Sequence, residues 1–102
     1  MYHCKIIPVA RMSFSPDDVE AMTLEYSLRC VTGPEGEDVF GLRVDKRRQG
    51  GQLVEREETP ALTSSQGEAT AMAKAFAAGT VPPCVLLEMV DEWHESFVMQ
   101  VS

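Results

Sequence analysis

Histidine occurs only twice in the 102 residues (His3 and His94), and cysteine three times (Cys4, Cys30 and Cys84), no two of them in a C-x-x-C spacing. Structural zinc sites and disulfide frameworks both need such residues in matched sets, so the chain has little from which to build either. With no secretory signal at its start, it reads as a cytoplasmic protein with reduced thiols. No apolar run approaches the ~20 residues of a membrane-spanning helix. Basic residues are also short, nine Lys and Arg against sixteen Asp and Glu, for a net charge of −7. Nucleic acid and anionic membranes both select clustered cations, so neither is an expected partner. Gly50-Gly51 lacks the lysine and the strand-to-helix setting of a phosphate loop. No nucleophile elbow, zinc finger or dinucleotide fingerprint is present, and no cofactor is expected.

The chain does have an ordinary globular composition, 44% apolar and 25% charged. A chain of this length buries roughly 60–70% of its unfolded surface, so residues 1–102 are expected to form one domain without metal or disulfide staples. Tyr2 to Ala10 reads as a strand, with Pro8 marking an edge, a bulge or its end. Residues 11–19 read as a connection, in which Ser15-Pro16-Asp17-Asp18 has the form of a helix start and predicts a turn. In residues 22–31, Leu24, Tyr26, Leu28 and Cys30 alternate with Glu25, Ser27 and Arg29, the pattern of a sheet with one wet face. Residues 38–46 return with Phe40, Leu42 and Val44 on one side. The Gly50-Gly51 pair makes a second hairpin loop, and residues 52–57 close the meander.

The C-terminal half changes period. Ser65-Gln66-Gly67-Glu68 matches a capping box, in which serine and glutamate each satisfy the other's free backbone N–H. Ala69, Met72, Ala73 and Phe76 form one stripe of a helix over 65–78, with Gly79 at its left-handed cap and Pro82-Pro83 barring continuation. A second helix over 83–97 carries Leu86, Val90, Trp93 and Phe97 on one face and Glu88, Asp91, Glu92 and Glu95 between them. Residues 98–102 are left as a short tail. Strands first and helices last predict an α+β fold, an antiparallel β-meander of three to four strands with two C-terminal helices packed on one face. Leu24, Tyr26, Leu28, Phe40, Leu42 and Val44 should then meet Met72, Phe76, Leu86, Val90, Trp93 and Phe97.

The strand LEYSL, the return strand VFGLRV and the run from TSSQGEA through AAGTVPPCVLLEMVDEW together resemble the small bacterial proteins of the domain-of-unknown-function family numbered 6514. The closing Leu87, Val90, Asp91, Glu92 and Trp93 match that family's Leu-x-x-Val-acid-acid-aromatic run. The resemblance covers residues 22 to 95, leaves the first strand outside, and implies no activity.

Cys84 falls in the first turn of the last helix, where free N–H groups and the helix dipole would favour a thiolate. The competing account is a small buried apolar residue. Asp91, His94 and Glu95 share one helix face at i, i+3 and i+4 and offer part of a metal-ligand set, or else a solvated face; no metal site is expected on this ligand count. Lys46, Arg47 and Arg48 gather beside one hairpin loop, a contact for an anionic partner or simply a polar loop that discourages edge pairing. Tyr26, Cys84 and Trp93 are the expected lining of any pocket between sheet and helices. Three functions follow. The first is a non-catalytic interaction or regulatory domain, using open sheet edges for a protein partner or a homodimer. The second is a small-molecule binder or minor enzyme with that sheet–helix pocket. The third is an acidic mimic of nucleic acid, which needs its carboxylates in one continuous band.

Overall fold

The computed structural model describes residues 4–15 and 21–101, with 94–101 as backbone only. Four strands, β1 (Cys4–Phe14), β2 (Met22–Thr32), β3 (Asp38–Arg48) and β4 (Leu53–Glu58), pair antiparallel in the order β1-β2-β3-β4. Helix α1 (Gln66–Ala78) follows, then one 3-10 turn (Pro83–Val85) and helix α2 (Leu86–Val101). This is the α+β meander with C-terminal helices that the change of period predicts. The Ser15-Pro16-Asp17-Asp18 turn falls largely outside the described residues, as does the side chain of Phe97.

Alternation fixes the two central strands. Leu24, Tyr26 and Leu28 of β2 and Leu42 and Val44 of β3 are at most 2% exposed. They form one cluster with Met72, Ala73 and Phe76 of α1 and Leu86 and Val90 of α2. Burying a side chain of this size stabilises by about 1.5–3 kcal/mol, so the even-numbered face holds the helices down. Trp93 is only partly buried at the edge of the cluster, its ring edge-on to Phe76 at 6.0 Å and 85°.

The first strand runs four residues beyond the expected end at Ala10, because its pattern changes phase. Pro8 pairs with Ser27 and Ala10 with Tyr26, leaving Val9 as a bulge. Before the bulge Lys5 and Ile7 share a face with Cys30 and Leu28; after it Ala10, Met12 and Phe14 take that face. An inserted residue resets period-two alternation, so residues 11–14 do not continue the pattern that precedes them.

The strand-to-helix crossing also keeps to the sheet. Thr59 donates its N–H to Leu42 O, and its hydroxyl accepts from Leu42 N–H at 2.8 Å. Phe40 then bridges to Thr63. A Cβ at Gly41 would lie 2.5 Å from Pro60 O and 2.8 Å from the Thr59 hydroxyl, so this close approach requires glycine.

Two helix ends differ from expectation. The Ser65 hydroxyl caps Glu68 N–H at 3.1 Å, as a capping box requires. Glu68 does not reach back to Ser65, however. Ser65 N–H donates to the Thr63 hydroxyl, which donates in turn to Glu68 Oε2. At the other end Gly79 has φ −88° and it is Thr80, at φ 52°, that is left-handed. Val81 N–H bonds Phe76 O and Thr80 N–H bonds Ala77 O, the paired bonds of a Schellman motif set one residue later than Gly79 suggests. Residues 98–101, expected as a tail, continue α2.

Candidate functional site

Both helices lie against the even-numbered face, which leaves the odd-numbered side chains of β2 and β3 on a sheet face that no described helix covers. Strand register assembles a row of charge there. Arg11 of β1 stands opposite Glu25 of β2, Glu25 opposite Asp45 of β3, and Asp45 opposite Arg56 of β4. Two carboxylates side by side repel, and arginines answer them from several directions. Arg56 grips Asp45 with Nε at 2.7 Å and Nη2 at 3.1 Å, a bidentate fork. Arg47 spans both acids, with Nε 2.6 Å from Glu25 and Nη2 3.5 Å from Asp45. The carboxylate of Asp45 is thereby almost closed off, at 8% exposure.

The neighbouring row holds Pro8, Ser27, Arg43 and Glu58. Arg43 places Nε 2.9 Å and Nη2 2.8 Å from Glu58 Oε2. Arg29 reaches past Gly41, donating Nη1 to Thr59 O, while its Nε lies 3.2 Å from Glu58. That Nε is buried and, although near the carboxylate, is not aligned for a hydrogen bond.

A groove of about 470 Å³ opens on this face. Arg11, Arg43, Arg47 and Arg56 line it against Glu25 and Asp45, with Ile6 and Pro8 of β1 as an apolar wall. Four guanidiniums against two carboxylates leave a local +2 on a chain of −7. Arg11 is exposed and makes no ion pair among the described residues. Arg43 Nη1 and Arg56 Nη1 likewise have no acceptor among them. A guanidinium has five N–H donors, so the network holds its acids and still presents donors to a ligand.

The residues singled out from the sequence do not gather at one place. Of the basic triplet, Arg47 joins the groove, whereas Lys46 and Arg48 pair with Leu24 and Met22 and so belong to the opposite face. The ring of Tyr26 lies in the core, where its hydroxyl donates to Val81 O at 2.8 Å and burial pushes the phenol up to about 12. Cys84 is exposed in the 3-10 turn, and Cys4 is exposed on β1. Cys30 is buried, and burial, then the nearby Asp38, pushes its thiol up. Trp93, with Phe76, Met89 and Glu92, borders a separate depression of about 330 Å³. Asp91 is exposed; the side chains of His94 and Glu95 lie outside the described residues. Among the described residues no three His, Cys, Asp or Glu side chains come together as a metal-ligand group.

Arg11, Arg43 and Arg56 do not stand out as site residues in the sequence, being scattered over three strands and isolated from one another. The signal that could have found Arg43 is the odd-numbered charge of two adjacent strands, Glu25 and Arg29 against Arg43, Asp45 and Arg47; no such pattern marks Arg11 or Arg56. Because carboxylates and arginines alternate there, the face is no continuous acidic band of the kind a nucleic-acid mimic needs. No described helix is long and apolar enough to cross a membrane.

The family model described as "Family of unknown function (DUF6514)" matches residues 5–96. The match takes in nearly all of β1, so the family likeness is not confined to residues 22 to 95. No curated protein and no solved structure matches the chain.

Proposed function

This chain belongs to that family of unknown function, whose description passes on no activity, and from the geometry we propose that it is a non-catalytic binding domain. Its recognition surface is the sheet face that no described helix covers, and its partner there is an acidic protein segment. The observation that carries this reading is the groove lined by four of the chain's nine basic residues. Charge complementarity of this kind guides encounter and selects partners. The groove's own acids support binding rather than chemistry, because Asp45 and Glu25 are each held by an arginine. Tyr26 is committed to Val81.

Surface plasmon resonance against poly-L-glutamate and poly-L-lysine tests the reading. The polyanion should bind in spite of the chain's −7 charge, weaken as salt rises, and lose affinity on Arg11→Glu. Preference for polylysine, or polyanion binding indifferent to Arg11→Glu, would remove the sheet face from consideration.

A second reading, self-association, has one observation in its favour. Leu53 and Val54 on the edge strand β4 are 39% and 43% exposed, and an unpaired edge invites another strand. Sedimentation of wild type against Val54→Lys decides it, a homodimer through this edge being lost in the variant.

A further inference from the structure

Resting on the acidic-partner reading above, we propose that the group this groove receives is a phosphate monoester dianion on a side chain of an extended protein segment.

Charge comes first. Any anion entering the groove meets Glu25 and Asp45 as well as the arginines. A lone carboxylate offers a single charge against these two fixed ones and little gain remains. A phosphate monoester carries about −1.5 to −2 at neutral pH and offers three strong acceptor oxygens. The larger charge draws more from the surplus guanidiniums, and the extra oxygens match donors that stand on separate strands.

Those donors are the second argument. Arg11 on β1 has its whole guanidinium available among the described residues, Arg43 on β3 and Arg56 on β4 each keep Nη1, and all three line the one groove. The remaining N–H groups of Arg43 and Arg56 are fastened to Glu58 and Asp45. That bonding holds the side chains in place before any ligand arrives and lowers the entropic cost of collecting them. Clusters of arginine are a recurring means of reading phosphorylated motifs.

The third argument concerns what carries the phosphate. Small-molecule sites bury 70–90% or more of their ligand, but this groove lies open on a sheet face, and Pro8, Arg11 and Arg56 on its rim are exposed. An open trough bordered by Ile6 and Pro8 suits a segment that lays one side chain among the arginines and its neighbours along the apolar wall.

The test uses three degenerate peptide libraries with phosphoserine, glutamate or serine fixed at the centre, together with inorganic phosphate alone. Each is titrated against the wild-type chain and the Arg11→Gln and Glu25→Gln variants. The phosphoserine library should bind at least tenfold more tightly than the glutamate library. Arg11→Gln, an exposed position with no ion pair among the described residues, should weaken binding about tenfold, and Glu25→Gln should strengthen it several-fold. Inorganic phosphate should shift the Arg11 and Arg43 Nε–H resonances saturably. Equal binding of glutamate and phosphoserine libraries overturns the phosphate assignment and leaves the acidic-partner reading standing. Binding of inorganic phosphate with no library retained overturns the protein segment in favour of a small phosphate ester. Failure of every probe, or phosphoserine binding unaffected by Arg11→Gln, overturns the site itself.

Discussion

Thr80 occupies a conformation that its side chain disfavours. A β-branched residue at φ 52° pays the left-handed penalty of about 1–2 kcal/mol that glycine avoids. It is held there by the two Schellman bonds and by the burial of Val81. Thr80→Gly is therefore expected to stabilise the fold by about 0.5–1 kcal/mol in urea unfolding, net of the extra freedom glycine gives the unfolded chain. Gly79 has an ordinary φ, and a Cβ there would meet nothing closer than 3.7 Å. Gly79→Ala should be neutral or mildly stabilising. A loss above about 1 kcal/mol in Gly79→Ala, paired with no gain in Thr80→Gly, would move the cap back to Gly79. Tyr26 offers a pH test at the same scale. Burial raises its phenol from 10 to about 12, so the folded state holds that proton more tightly than the unfolded chain. Its contribution is complete below pH 10 and disappears as pH climbs towards about 12. Urea midpoints should fall across that window in the wild type and much less in Tyr26→Phe. At neutral pH, Tyr26→Phe should cost about 1–2 kcal/mol for the lost bond to Val81 O.

Among the elements, β3 carries the most constraints, since it pairs on both sides and its outer edge takes the crossing chain as well as β4. Gly41 makes that possible. Gly41→Ala places a methyl against the Pro60 carbonyl and the Thr59 hydroxyl, and neither can withdraw without breaking the bonds Thr59 makes to Leu42. A loss of about 2–3 kcal/mol is expected in urea unfolding, with the amide of Leu42 losing protection from hydrogen exchange first. A variant as stable as wild type would mean that the crossing does not press on the strand. The sequence did declare that Phe-Gly-Leu lay in a strand, but not why the glycine was there, because its reason lies eighteen residues away in Thr59. The same limit governs the rest. Strands β2 and β3 and the stripe of α1 were legible because one buried face imposes one period throughout each. The end of β1 was not, because the bulge at Val9 changes the phase halfway along. Arg47 stands out as one of three adjacent cations, yet adjacency misleads in a strand, where neighbours point to opposite faces. Its true companions, Arg11, Arg43 and Arg56, become neighbours only once four strands are placed in register.

At the scale of the whole molecule charge is unevenly placed: the chain carries −7 in sum, while the groove on the sheet face away from the helices has a surplus of arginine. Such a charge distribution orients an approaching anion even when the net charge repels it. The groove's charges also set stability against binding, and Asp45 is where the two meet. Its carboxylate is 8% exposed between Arg56 and Arg47. Asp45→Asn keeps the shape but deprives Arg56 of its counter-ion and leaves Arg47 with Glu25 alone, two guanidiniums that remain partly solvated, at 36% and 29% exposure. A cost of about 1–3 kcal/mol follows, below that of breaking a fully buried pair because water reaches both arginines. The substitution also removes one of the two acids facing the groove, raising the local charge from +2 to +3 and freeing one of the two Arg56 N–H groups that the carboxylate held. Polyglutamate should then bind several-fold more tightly to a protein that unfolds at lower urea. Measuring both quantities on one variant separates the two roles of the network. Lower stability with stronger binding is the signature of a face held back by its own carboxylates, whereas a parallel fall in both would mean that Asp45 builds the surface the ligand needs.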